Sequence, residues 1–98
     1  MTAYYGGKAG VGAVPKVEVY TKFLCPYCAR AMKLLKSKDI VVDEIDITMG
    51  GPPRAAMLAR SEGRTTVPQI FINDVAIGGS DDLAALDRAG KLDALLAA

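Results

Sequence analysis

A strand, a helix and a second strand follow one another within roughly 30 residues, and this spacing limits the topology of the chain more than any other feature. Lys16 to Thr21 is rich in β-favouring residues, with Val17 and Val19 alternating with Glu18 and Tyr20. From Pro26 the apolar period changes. Cys28, Ala31, Met32 and Leu35 fall at i, i+3, i+4 and i+7, while Arg30, Lys33 and Lys36 face elsewhere. Cys25 then takes the N-cap and Pro26 the first helical position, where its missing N–H costs nothing. Lys33, Lys36 and Lys38 suit the negative end of the helix dipole. The helix is expected to run to about Lys38, and Ile40 to Ile47 reads as the second strand. Such a crossover makes the two strands parallel.

The remainder supplies a different pairing. Gly50-Gly51-Pro52-Pro53 interrupts the chain and opens a second helix, with Met57 and Leu58 apolar and Gly63 expected as its C′ residue. Gln69 to Asn73 and Val75 to Gly78 read as a hairpin turning at Asn73-Asp74. Ser80 is the expected N-cap of a third helix, with Asp81 and Asp82 in its first turn, running through Leu83 and Leu86 to Gly90; a short fourth helix covers Leu92 to Leu96. One parallel and one antiparallel pair close most simply into a mixed four-stranded sheet flanked by helices on both faces, an α/β fold. Residues 1 to 15 carry four glycines and no periodicity, so the expected organisation is a flexible N-terminal extension, 1–15, and one domain, 16–98.

Composition removes several function classes. The 12 Lys and Arg nearly balance 11 Asp and Glu, leaving no basic footprint for nucleic acid or an anionic membrane surface. The longest uncharged run, the nine residues Thr65 to Asn73, is well short of the ~18 a membrane span needs. The start lacks a basic segment leading into an apolar stretch, so a cytoplasmic protein is expected. With no His, a Ser/His or Cys/His nucleophilic site is excluded, and the available chemistry shrinks to thiols, carboxylates and lysines.

The only two cysteines are Cys25 and Cys28, in Cys25-Pro26-Tyr27-Cys28. A zinc site would need two more ligands, which a chain without His or a second cysteine pair does not offer, so no metal site is expected. A disulfide closing four residues gives only about 1.9 kcal/mol in the loop-entropy model, against ~3 for 15 residues, so a stabilising staple would span more chain. Thiol–disulfide exchange needs a nucleophilic thiolate and a second thiol close enough to resolve the mixed disulfide, and CxxC where a strand meets a helix supplies both. Cys25, beside the free N–H groups of the helix start, is the expected nucleophile; Cys28, one turn in and on the apolar face, is the resolving thiol. Lys22 could add charge near Cys25 or pair with an anionic substrate, and reads equally well as a solvated lysine at a strand end.

Cys25-Pro26-Tyr27-Cys28, Thr66-Val67-Pro68 and Gly78-Gly79-Ser80-Asp81-Asp82 together resemble the dithiol glutaredoxins in identity, order and spacing, over roughly Val17 to Leu96. The resemblance implies a thioredoxin-like fold, a glutaredoxin domain over 16–98, and glutathione as cosubstrate with no tightly bound cofactor. It implies that Pro68 is a cis-proline beside Cys25 and that the Val67 backbone, next to Thr66, pairs with the cysteinyl part of glutathione as an added strand. It further implies that Lys22 meets the glycyl carboxylate and Tyr27 flanks the sulfur. Gly79, Ser80, Asp81 and Asp82 hold the γ-glutamyl end, with helix N–H groups suited to its carboxylate and the Asp82 carboxylate to its ammonium. Ser80, Asp81 and Asp82 are equally an ordinary helix start. Arg60 and Arg64 could reach the glycyl end but read better as solvated surface. Two departures stand out: Ser80 occupies a position where many glutaredoxins carry a third cysteine, and the extension matches nothing in the family core.

The resulting expectation is a monomeric, glutathione-dependent thiol–disulfide oxidoreductase that reduces protein–glutathione mixed disulfides and protein disulfides. Its partners are glutathione and disulfide-containing or glutathionylated proteins. A different class is an iron–sulfur cluster carrier, in which two chains each supply Cys25 and glutathione supplies the other thiolates. Pro26 argues against it, because cluster-binding relatives usually have a small residue there. A third is a hydrogen donor reduced by thioredoxin reductase, against which the apparent glutathione site weighs.

Overall fold

The computed structural model describes residues 14–97, so the expected extension lies almost entirely outside the described residues. Strand β1 (Val17–Thr21) has every side chain buried because it is an interior strand, with the sheet ordered β2-β1-β3-β4 and helices on both faces. β2 (Val42–Asp46) runs parallel to it from Val17↔Val42 to Thr21↔Asp46, joined through helix α1 (Pro26–Lys36) as the spacing requires. β3 (Gln69–Ile72) pairs antiparallel on the other side of β1, from Val17↔Ile72 to Tyr20↔Gln69, and β4 (Val75–Gly78) closes the sheet through the Asn73-Asp74 turn.

The two-residue period of the strands sorts their side chains onto two cores. Val17, Val19, Ile70 and Ile72 meet Ala31, Met32 and Leu35 of α1, Leu83 of α3 (Ser80–Arg88), and Leu92 and Leu96 of α4 (Leu92–Ala97). On the opposite face Tyr20 and Phe71 pack edge to face, centroids 5.7 Å apart, with Ile47 and with Met57 of α2 (Gly51–Arg60). Each fully buried side chain of this size contributes about 1.5–3 kcal/mol, so the three-helix face carries most of the burial and α2 contributes through few residues.

Helix ends depart from the sequence expectation where tertiary contacts intervene. α1 stops at Lys36 because Ser37 caps it and Asp39 turns left-handed at φ 58°. Lys38 lies past this end, and its ammonium reaches Asp87 at 2.8 Å and Asp93 at 2.9 Å, tying α1 to the last two helices. After α2 the left-handed C′ residue is Glu62 and not Gly63; the Gly63 N–H reaches back to the Leu58 carbonyl at 2.7 Å, a Schellman closure.

The expected solvated position of Arg60 is also corrected. Its guanidinium stacks 4.1 Å from the Phe71 ring centroid, bonds both Glu18 carboxylate oxygens at 2.8 and 3.2 Å, and donates to the Tyr20 hydroxyl at 2.9 Å. Arg60 is thereby the ion-pair partner of Glu18, a carboxylate buried on a central strand.

Candidate functional site

Cys25 is the N-cap of α1, with extended backbone at φ −107° and ψ 106°, and its Sγ accepts the Cys28 N–H at 3.2 Å. Pro26 removes one competing donor, and no acidic residue enters the first turn. The positive end of the helix is therefore undiluted at the one sulfur that solvent reaches. Cys28 is only 4% exposed. Burial, then its bond with the Cys25 sulfur, pushes its thiol up to about 12, against an opposing contribution from the Lys22 backbone N–H. Near neutral pH the pair is thus an accessible sulfur beside a proton-bearing one, both free.

The loop between β1 and α1 is held from β2. Phe23 N–H donates to Thr48 Oγ1 at 2.8 Å, and Thr48 N–H donates to the Asp46 carboxylate at 2.7 Å. These Thr48 bonds hold the Asp46 carboxyl below its ordinary range. Lys22, Phe23 and Leu24 face outward, and Tyr27, half exposed, lies under the Arg30 guanidinium at 5.2 Å. An open groove of about 840 Å³ runs from both cysteines and Lys22 between α1 and β2.

On the other side of β1, the Val67–Pro68 peptide bond is cis, as the resemblance implies. Thr66 is fixed through Gln69, whose side-chain amide donates to the Thr66 carbonyl at 2.9 Å and hydroxyl at 3.1 Å. Val67 packs against the Tyr20 and Phe71 core. The N-cap of α3 is Gly79, not Ser80, which is buried at N1. The difference follows from Asp82, whose carboxylate reaches back to the Gly79 N–H at 2.9 Å and caps the helix without a hydroxyl. Gly78 at φ 110° leaves room for that carboxylate; a Cβ there would collide with it. A Cβ on Gly79 would stand 3.6 Å from the Pro68 carbonyl oxygen, so the α3 start lies against the cis-proline turn. The structure thus joins Pro68 to Gly79, Ser80, Asp81 and Asp82, while Lys22 falls in the groove with the cysteines.

Arg64 is placed 3.9 Å from the Asp82 carboxylate. Spacing could not reveal that proximity, because the residues after α2 fold back across the end of β4. Among the described residues, no three His, Cys, Asp or Glu side chains cluster to hold a metal, and no helix is long and apolar enough to cross a membrane.

Comparison with known proteins places this geometry. The family model described as Glutaredoxin matches residues 17–77. The glutaredoxin of Pseudomonas aeruginosa is 54% identical over 85 residues, covering 87% of this chain and 100% of its own length. The solution structure of glutaredoxin from Brucella melitensis superposes with a TM-score of 0.76 at 51% identity, covering 90% of this chain and 95% of that one. The crystal structure of a buckwheat glutaredoxin–glutathione complex does so with a TM-score of 0.72 at 31% identity, covering 84% and 76%. The sheet and helices are therefore a thioredoxin-like fold.

Proposed function

Because the chain belongs to the glutaredoxin family, and so to the glutathione-dependent thiol oxidoreductases, we propose that it reduces protein–glutathione mixed disulfides and protein disulfides through Cys25 and Cys28. The observation that carries this reading is the asymmetry of the pair: a solvent-reached sulfur capping a helix, one turn from a buried thiol that holds its proton.

With a glutathionylated substrate, the Cys25 thiolate attacks the glutathione sulfur, and the substrate cysteine leaves as a thiolate and takes a proton from water. A second glutathione thiolate then attacks the glutathione sulfur held on Cys25, forming glutathione disulfide and freeing Cys25. With a protein disulfide, Cys25 bonds to one substrate sulfur and the other leaves. Cys28 gives up its proton and attacks Cys25, releasing the substrate thiol and leaving a Cys25–Cys28 disulfide that two glutathiones reduce.

Glutathione binding is assigned to the Pro68 side. The α3 N–H groups of Ser80 and Asp81 suit the γ-glutamyl carboxylate and Asp82 its ammonium, the Val67 backbone pairs with the cysteinyl unit beside Thr66, Tyr27 flanks the sulfur, and Lys22 meets the glycyl carboxylate. That a buckwheat relative forms a complex with glutathione supports glutathione as the ligand. One chain holds both thiols, so the proposed reaction needs no second copy, and its use of a reducing glutathione pool fits a cytoplasmic location. Glutathione, glutathione reductase and NADPH, coupled to the glutathione mixed disulfide of 2-mercaptoethanol, test the reading. NADPH consumption proportional to added protein is expected, and none above the uncatalysed rate would contradict it.

A further inference from the structure

The groove on the β2 side of the cysteines is not used by the glutathione assignment, apart from Lys22 at its mouth. Its two walls carry opposite charges, and they differ in how firmly the charged side chains are held. On β2, Glu44 accepts the Thr21 hydroxyl at 3.0 Å and Asp46 accepts the Thr48 N–H at 2.7 Å. On α1, Lys33 and Lys36 are exposed and meet no carboxylate within ion-pair distance among the described residues. With three ammonium groups, Lys22, Lys33 and Lys36, against the two carboxylates of Glu44 and Asp46, the groove lining is net positive, and its positive charge is concentrated on α1 and at the mouth. Leu24 stands at its mouth with φ 54°, a backbone region that glycine or asparagine occupies far more easily, and with its side chain 83% exposed. Phe23 beside it is 73% exposed. Folding alone favours neither a branched apolar residue in that conformation nor two large apolar side chains in water.

We propose that this groove seats the polypeptide of the disulfide substrate: an extended segment whose acidic residues meet Lys33 and Lys36 and whose apolar side chain packs on Phe23 and Leu24 while its cysteine reaches Cys25. Continuity with both thiols selects this occupant, since the groove opens on the sulfur that must be attacked. The charge selects an acidic one, and a volume of about 840 Å³ in an open cleft suits a length of chain. The proposal rests on the oxidoreductase reading and adds to it a class of protein substrate and a second side to the active site.

Two peptides of equal length, each with one glutathionylated cysteine flanked by glutamates or by lysines, test it in the coupled assay at low salt, beside the 2-mercaptoethanol mixed disulfide. The wild-type protein is expected to have a KM for the acidic peptide roughly fivefold or more below that for the basic one, a gap that closes as salt is raised. Lys33→Glu with Lys36→Glu is expected to reverse the order. Leu24→Gly, which keeps the backbone conformation, is expected to raise KM for both peptides by roughly threefold. Neither variant is expected to change turnover of the small disulfide. An acidic preference that survives the charge reversal overturns the proposal, as does a Leu24→Gly loss of equal size on the small disulfide. A wild-type protein inactive on the small disulfide overturns the oxidoreductase reading and the docking proposal together.

Discussion

A thiol buried one turn inside a helix is held in its protonated form by its surroundings. For Cys28 burial dominates, and the thiol is pushed up to about 12 from 9.0. A group whose neutral form is favoured by folding contributes stability that is present below its unfolded value and is lost as pH rises through its folded one. Cys28 therefore adds an alkaline loss of stability between about 9 and about 12, which urea titrations should show in the native protein and lack in Cys28→Ala. In Cys25→Ser the burial remains, so alkylation of Cys28 by iodoacetamide at pH 8.5 is expected to run at least about tenfold slower in the folded protein than in urea, and equal rates would contradict its protected state. Asp82 caps α3, and in the proposed glutathione assignment it also meets an ammonium; substitution separates the two. Asp82→Asn retains an acceptor for the Gly79 N–H but loses the charge offered to an ammonium, so its KM for glutathione should rise roughly tenfold with thermal stability kept. Asp82→Ala should raise KM similarly and lower the melting temperature as well.

At the scale of elements, α2 is held to the sheet differently from the other helices. Its buried apolar contribution is Met57, and the remainder is Arg60 lying across Phe71 and Tyr20 with its charge answered by Glu18. Arg60→Ala strands that carboxylate under the helix and is expected to cost about 2–4 kcal/mol in urea unfolding, whereas Arg60→Met with Glu18→Gln should recover most of the loss. A cost near zero for Arg60→Ala would show that Glu18 finds water instead. The same helix marks where sequence stops being informative. α1 and its cap were legible because every determinant lies within one segment: an N-cap sulfur, a proline at N1, an apolar stripe, basic residues at the end. The strands were legible from composition and spacing, and the crossover followed from chirality. Arg60 read as surface because its partners, Glu18 and Phe71, lie on two different strands. The α3 cap was misplaced by one residue because a side chain three positions on outcompeted the nearest hydroxyl. The left-handed Leu24 carries no local signal at all, since its sequence does not differ from that of any strand-to-helix loop.

For the whole molecule, the sheet order β2-β1-β3-β4 sets β1, and the cysteine that follows it, between two different surroundings. Toward β3 lie the cis-proline turn and the start of α3; toward β2 lies the groove under Phe23 and Leu24. The central claim is that one thiol attacks and the other resolves, and two single substitutions assayed on two substrates test it most directly. Attack on a glutathionylated substrate leaves glutathione on Cys25, which a second glutathione removes without help, whereas a protein disulfide leaves the substrate tethered until the neighbouring thiol, at high effective concentration, displaces it. Cys28→Ser is therefore expected to keep most of its activity on the 2-mercaptoethanol mixed disulfide and to lose reduction of a protein disulfide such as that of insulin, while Cys25→Ser loses both. Equal losses in the two assays for Cys28→Ser, or an active Cys25→Ser protein, would contradict the account.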